Sequence, residues 1–185
     1  MGLDMYFYLR TKEPVIVNPK KDEDNWKAFS MWEQEAGKTD PTSYPEDIKE
    51  LADYIYQRNF KSEDTDKKGR YSYQVGYFRK FNALHGYVVN HFGKGIDHCQ
   101  VIKISEKGRK QLLKDLNEVL NAKDKEHDST AEHLLPTKSG CFFGSIYYDK
   151  YYYEDIKDAI ELFEKIGKVM QENKGKYELV YQASW

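Results

Sequence analysis

Residues 71–92, YSYQVGYFRKFNALHGYVVNHF, change their hydrophobic period part-way along. Tyr71, Tyr73, Val75 and Tyr77 alternate as in a half-buried strand, whereas Phe78, Phe81, Leu84, Val88 and Phe92 follow at helical spacing and Gly93 ends the run. A strand feeding directly into a helix sets an α+β expectation, and the flanking segments extend it.

Toward the N-terminus, Leu3, Met5, Phe7 and Leu9 alternate with Asp4, Tyr6 and Tyr8, which predicts a strand with one packed face and one polar-aromatic face. Val15 to Val17, between Pro14 and Pro19, reads as a short edge strand. Asp24 to Glu35 and Tyr44 to Phe60 read as amphipathic helices, the second opening on Pro45-Glu46-Asp47. Lys61 to Arg70 is polar throughout and is predicted to be an exposed loop.

Toward the C-terminus, Cys99 to Ser105 reads as a strand and Ser105 as the cap of a helix Glu106 to Asn121 with the stripe Leu112, Leu113, Leu116, Val119 and Leu120. A charged loop is predicted over Ala122 to Glu132, and a short buried strand at Phe142 and Phe143. A helix follows over Glu154 to Gln171, closed by Gly175, and then a last strand from Tyr177 to Ala183. The expected architecture is one α+β domain over 1–185, a single small mixed or antiparallel sheet covered by several helices.

The chain holds 29 Lys and Arg against 31 Asp and Glu, for a formal charge of -2, so no global field draws it to nucleic acid or an anionic bilayer. Nucleic acid is therefore not an expected partner. No window approaches a membrane span, and the N-terminus lacks the pattern of a signal peptide. Tyr6 stands where a myristoylation motif wants Ser or Thr. Two cysteines, Cys99 and Cys141, form no disulfide framework, and a reducing cytoplasm is the expected location.

Residues 134–155, LLPTKSGCFFGSIYYDKYYYED, hold seven aromatics, and five of the chain's 16 tyrosines lie between Tyr147 and Tyr153. A tyrosine joins a large apolar ring to a hydroxyl that wants a partner, so the segment is suited to lining a polar pocket. Thr137, Lys138, Ser139 and Gly140 suit a phosphate or carboxylate, although the order of a P-loop is absent. Ser145, Tyr148, Asp149 and Asp155 add hydroxyls and carboxylates, with Asp149 or Asp155 as a candidate helix cap. Arg79, Asn82 and His85 recur every three residues and are read as one helical stripe able to converge on an anion. The competing reading makes Arg79 a snorkelling surface residue, Asn82 a backbone cap and His85 a satisfied core histidine.

His85, His91, Asp97, His98 and Cys99 include every usual metal-ligand type, but His85 and His91 would point to different sides of a helix, so no metal is expected. Nothing near Cys141 fixes a base, since only Lys138 is close in sequence. No cofactor is implied.

Four segments, MGLDMYFYLR, VGYFRKFNALH, LLPTKSGCFFGSIYYDKYYYED and YQASW, together resemble a small family of uncharacterised proteins from bacteria and their phages. The shared pattern is an MGLDMY start, a GYWRK-x-N-x-IH segment, an LLPT-x-SG-FFFGS-x-x-YD-x-YYY-x-D block and an SSW-like end. Here Phe78 stands where tryptophan is usual and Cys141 where an aromatic is usual, which weakens a nucleophile role for Cys141. The resemblance implies a phage or mobile-element accessory protein and carries no activity with it.

Two functions remain open. The first is a binding module for an anionic small molecule, a nucleotide among the candidates, or for a host protein, using Asp4, Tyr6, Arg79, Asn82, His85, Ser139, Ser145, Tyr148 and Asp149. The second is a small hydrolase of a phosphorylated or glycosidic substrate, with His85 as general acid or base and Asp4 or Asp149 as the carboxylate. A purely structural interaction protein would instead show an exposed aromatic patch. In space, Asp4, Tyr6 and Tyr8 are expected to meet Tyr181, with Arg79, His85 and the Ser139 to Asp149 loop at one end of the sheet.

Overall fold

The computed structural model describes residues 2–13, 45–54, 70, 72–122 and 127–185. The edge strand expected at Val15 to Val17, the helix expected over Asp24 to Glu35 and the loop 61–69 lie outside these residues. Of the Tyr44 to Phe60 helix, the described part is a 3₁₀ helix, Glu46–Tyr54, that buries Ile48 and Leu51.

Four strands, β1 (Asp4–Thr11), β2 (Ser72–Arg79), β3 (Ile102–Ile104) and β4 (Tyr177–Ser184), form one sheet in the order β2-β1-β4-β3. Every pairing is antiparallel. The helices are α1 (Asn82–His91), α2 (Glu106–Ala122), α3 (His127–Leu134) and α4 (Lys150–Glu172). The architecture is the small α+β fold expected. No helix among the described residues is long and apolar enough to cross a membrane.

The apolar face of β1 explains why it is central. Leu3, Met5, Phe7 and Leu9 are fully buried, each contributing roughly 1.5–3 kcal/mol by leaving water. Phe7 meets Phe163 of α4 edge-on at 5.1 Å and Tyr181 of β4 at 5.0 Å. At Gly76 a Cβ would run into Leu162, so α4 sits against β2 only because that position has no side chain.

β2 does not alternate cleanly. Phe7 pairs with Gly76 and Tyr8 with Gln74, which leaves Val75 as the extra residue of a β-bulge. One inserted residue reverses the facing of everything beyond it. Tyr73 therefore stands beside Leu9 on the core face and Tyr77 beside Tyr6 on the other.

The helical stripe expected for Arg79, Asn82 and His85 is also corrected. Arg79 ends β2, Lys80 turns through a left-handed φ of 64°, and Asn82 opens α1, so the three residues belong to a strand, a helix start and a helix interior. The charged segment after Ala122 is in part helical, with α3 anchored by buried Ala131 and followed by buried Leu135. Phe142 and Phe143 form a turn in place of a strand. Phe142 has φ of 63° and is exposed, while Phe143 is buried. β3 is shorter than the Cys99 to Ser105 strand expected, because Cys99 is left-handed at φ 55°. Ser105 does cap α2, its Oγ accepting from the Gly108 N–H at 3.0 Å. α4 begins at Lys150 because Asp149 caps it, Oδ1 accepting from the N–H of Tyr151 at 3.0 Å and of Tyr152 at 3.1 Å. The early start moves Tyr152 and Tyr153 into the core.

Candidate functional site

The segment from Leu135 to Asp149 separates two polar centres, and Asn82 holds it in place. Asn82 Nδ2 donates to the carbonyls of Phe143 at 3.1 Å and Ser145 at 2.7 Å, and Oδ1 accepts from the Lys138 N–H at 2.8 Å. All of these bonds go to the loop backbone. Asn82 is therefore a buried clamp on the loop. At Gly144, φ is +100° and a Cβ would lie 2.9 Å from both the Lys80 Cβ and its carbonyl oxygen. The loop can press onto the β2–α1 turn only with glycine there.

The first centre is buried. His85 is 1% exposed, with Nδ1 at 2.7 Å from the Tyr181 hydroxyl and Nε2 at 3.0 Å from Asp97 Oδ2. The same carboxylate oxygen accepts from Lys138 Nζ at 2.7 Å, and Oδ1 accepts from the Trp185 indole at 3.3 Å. Burial pushes the Asp97 carboxyl up, but hydrogen bonds from Lys138 and His85 outweigh it and hold it below its ordinary value. An ionised Asp97 requires a proton on His85 Nε2. Nδ1 then accepts from Tyr181, whose hydroxyl keeps its proton because burial raises it far above the ordinary value. Burial lowers the imidazole against the opposing pull of Asp97, so the neutral ring is the resident form. Phe143 stands edge-on to the ring at 5.5 Å and Trp185 packs on Phe143 at 5.8 Å.

The second centre is an open cleft of about 290 Å³ at the end of β2. Its floor is the β2–α1 turn, with Arg79, Lys80, Phe81, Asn82 and Ala83. Its walls are Thr137, Gly144, Ser145 and Tyr147 from the loop and Asp149, Tyr151, Tyr152 and Asp155 around the start of α4. The N-terminus of α1 opens into it, and no side chain caps that end. The Asn82 N–H is taken by the Lys80 carbonyl at 2.9 Å, and the remaining first-turn N–H groups carry partial positive charge beside an arginine and a lysine of the same cleft. Arg79 is half-exposed and 3.8 Å from Asp4. Lys80 has no ion-pair partner among the described residues. Thr137 Oγ1 donates to the Ile146 carbonyl at 3.0 Å, and Ser145 Oγ accepts from the Tyr147 N–H at 3.1 Å, leaving the serine proton free to turn.

Asp155 has no hydrogen-bond or ion-pair partner among the described residues. Burial and then Asp158, Glu154 and Asp149 push its carboxyl up to about 6. Tyr147 and Tyr151 are 74% and 72% exposed at the rim.

Of the nine residues anticipated, Arg79, Asn82, Ser145 and Asp149 line this cleft. Asp149 does so with one oxygen committed to capping α4. Asp4 stands beside it as the partner of Arg79 and accepts from the Tyr77 hydroxyl. Tyr6 lies on the same sheet face as Tyr77, 5.4 Å ring to ring, its phenol pushed up to about 12 by burial and then by Asp4, against the pull of Arg79. His85 is in the buried centre, Ser139 is exposed outside the cleft lining, and Tyr148 packs edge-on to Tyr152 at 5.0 Å. Tyr181 faces Phe7 and the core, so it does not meet Asp4, Tyr6 and Tyr8, which point to the other side of the sheet. That correction follows from the register, in which Tyr6 is opposite Gln182.

The chain matches no family model, no curated protein and no solved structure. The site is accordingly read from geometry. Among the described residues no group of three or more His, Cys, Asp or Glu is placed to hold a metal ion. At the far end of β1 and β4 a buried Glu178 accepts from Arg10 Nε at 2.7 Å, Arg70 Nη1 at 2.9 Å and Lys103 Nζ at 2.5 Å. Those cations are engaged with one carboxylate, unlike Lys80. The cleft residues with the weakest sequence signal are Tyr151 and Asp155, whose place becomes readable only when α4 is started at Asp149.

Proposed function

We propose that this protein is a binding module for a small anionic ligand, held in the cleft between the β2–α1 turn and the start of α4. The observation that carries the reading is the uncapped N-terminus of α1 opening into the cleft beside Arg79 and Lys80. A phosphate or carboxylate there would receive backbone N–H groups, two cations and the Ser145 hydroxyl. The rim tyrosines add apolar surface for the remainder of the ligand. A hydrolase using His85 would need that ring to reach the cleft, and both of its nitrogens are held by Tyr181 and Asp97. The setting in a phage or mobile element rests on the motif resemblance alone.

Calorimetric titration with inorganic phosphate tests the reading. The intact protein is expected to bind it saturably at low salt, and Arg79→Gln to weaken binding at least tenfold. Equal affinity in the variant, or no binding by either protein, would sink the proposal.

A further inference from the structure

The cleft presents three chemically different surfaces within about 290 Å³, a volume of the size of one mononucleotide-like molecule. One is cationic: Arg79, Lys80 and the mouth of α1. The second is aromatic: Tyr147 and Tyr151 expose nearly three-quarters of their surface although large apolar rings ordinarily gain by burial. Two rings left open beside a cleft suit stacking on a planar ring of the ligand. The third is Asp155, a half-buried carboxyl on the first turns of α4 with no protein donor among the described residues. A buried or half-buried carboxylate without a donor is costly to keep, and a ligand N–H group would satisfy it.

We infer that the ligand is a nucleoside monophosphate whose base carries an exocyclic amine. Its phosphate lies against Arg79, Lys80 and the α1 N-terminus, its ring against Tyr147 and Tyr151, and its amine on the Asp155 carboxylate. The inference rests on the anion-binding reading and adds to it the class of molecule. A base that offers a carbonyl where the amine stands would face the Asp155 oxygens acceptor to acceptor, so the site distinguishes the two. No bond is made or broken in this recognition. Burial and then Asp158, Glu154 and Asp149 raise the Asp155 carboxyl, while Arg79 and Lys80 are the cations that line the same cleft.

Cytidine and uridine 5′-monophosphates separate the contributions, since they differ at this edge by amine against carbonyl and share the phosphate. Calorimetry on the full chain at pH 7.5 is expected to give at least tenfold tighter binding of the cytidine nucleotide. Asp155→Asn should remove or invert that preference while inorganic phosphate binds at least as tightly as to the native protein, one negative charge having left the cleft. Tyr151→Ala should weaken both nucleotides and leave phosphate unchanged. Equal affinities for the two nucleotides, or a preference that survives in Asp155→Asn, overturn the inference while phosphate binding keeps the broader reading intact. Failure of both nucleotides and of inorganic phosphate to bind overturns both. Thermal unfolding of each variant establishes that it is folded, and Asp155→Asn is isosteric at a partly exposed helix position.

Discussion

The buried centre around His85 and the open cleft beside it are built from the same kinds of residue, yet they are opposite in state. In the first, Tyr181, His85, Asp97, Lys138 and Trp185 satisfy one another, and every strong donor has an acceptor. In the second, the side chains of Lys80 and Asp155 have no hydrogen-bond or ion-pair partner among the described residues, and no side chain caps the first turn of α1. A polar cluster that closes on itself stabilises a fold, and one that stays open is held for something else. The distinction reassigns the residues that sequence chemistry singled out first: His85 and Asn82 hold the scaffold, and Arg79 and Asp155 face the cleft.

Four substitutions can break or sharpen that contrast. His85→Ala is expected to have the largest effect, a loss of about 3 kcal/mol in denaturant unfolding at neutral pH, because it leaves a cavity and orphans the Tyr181 hydroxyl. The native protein should also lose stability in acid through this residue. With the folded His85 held below its ordinary 6.5, the unfolded chain takes up the proton first. The contribution is complete above about pH 6.5 and declines as pH falls below it, a decline absent in His85→Ala. A variant as stable as the native protein but unable to bind phosphate would place His85 in the open site and collapse the distinction.

Asn82→Ala comes next, with a loss of about 2 kcal/mol, since three bonds from a buried side chain to the 138–145 backbone disappear together. Amide hydrogen exchange in that loop should accelerate with it, and an unchanged loop would show that the clamp lies elsewhere.

Asp155→Asn runs the other way. A carboxyl raised to about 6 from an unfolded value near 3.8 favours the folded state only while protonated, so its charged form destabilises the protein as pH rises through 6. Removing the charge is expected to stabilise the protein by about 1–2 kcal/mol at pH 7.5, allowing for solvent screening, and by nothing below about pH 4. Urea unfolding at the two pH values checks this, and a loss of stability at pH 7.5 would mean the carboxylate has a structural partner. A residue that destabilises its own fold at neutral pH is the pattern of a functional group.

Arg79→Gln is expected to change stability by less than about 0.5 kcal/mol, because its one ion pair among the described residues is long and half-exposed. A loss near 2 kcal/mol would move Arg79 to the scaffold.

Much of the fold is legible in the sequence because it rests on local patterns. The period-2 run at β1, the Ser105 cap and the stripes of α2 and α4 each report their own geometry. The misreadings occur where a distant contact overrides the local signal. The bulge at Val75 reverses a facing that the tyrosine spacing alone implies, and its one local cue is the neighbouring Gly76, which marks a bulge or a close approach without saying which. Lys80 takes a left-handed turn with no glycine to announce it, which detaches Arg79 from the helix that carries Asn82 and His85. The candidate site was legible as a list of polar residue types near an aromatic loop. Which of them are consumed was not, because Asn82 and His85 find their partners 12 to 96 residues away. Asp155 carries a weak signal in the sequence for the converse reason, since what sets it apart is the absence of a hydrogen-bond or ion-pair partner among the described residues.

The central claim is that the open cleft, and not the buried centre or the Glu178 cluster, receives an anion. Backbone amide chemical shifts followed by two-dimensional NMR during a phosphate titration test it directly. Saturable shifts at Lys80, Asn82, Ala83 and Ser145, with little change at Asp97, Tyr181 and Glu178, are the predicted result. Saturable shifts confined to Arg10, Lys103 and Glu178, or none at the β2–α1 turn, would contradict it.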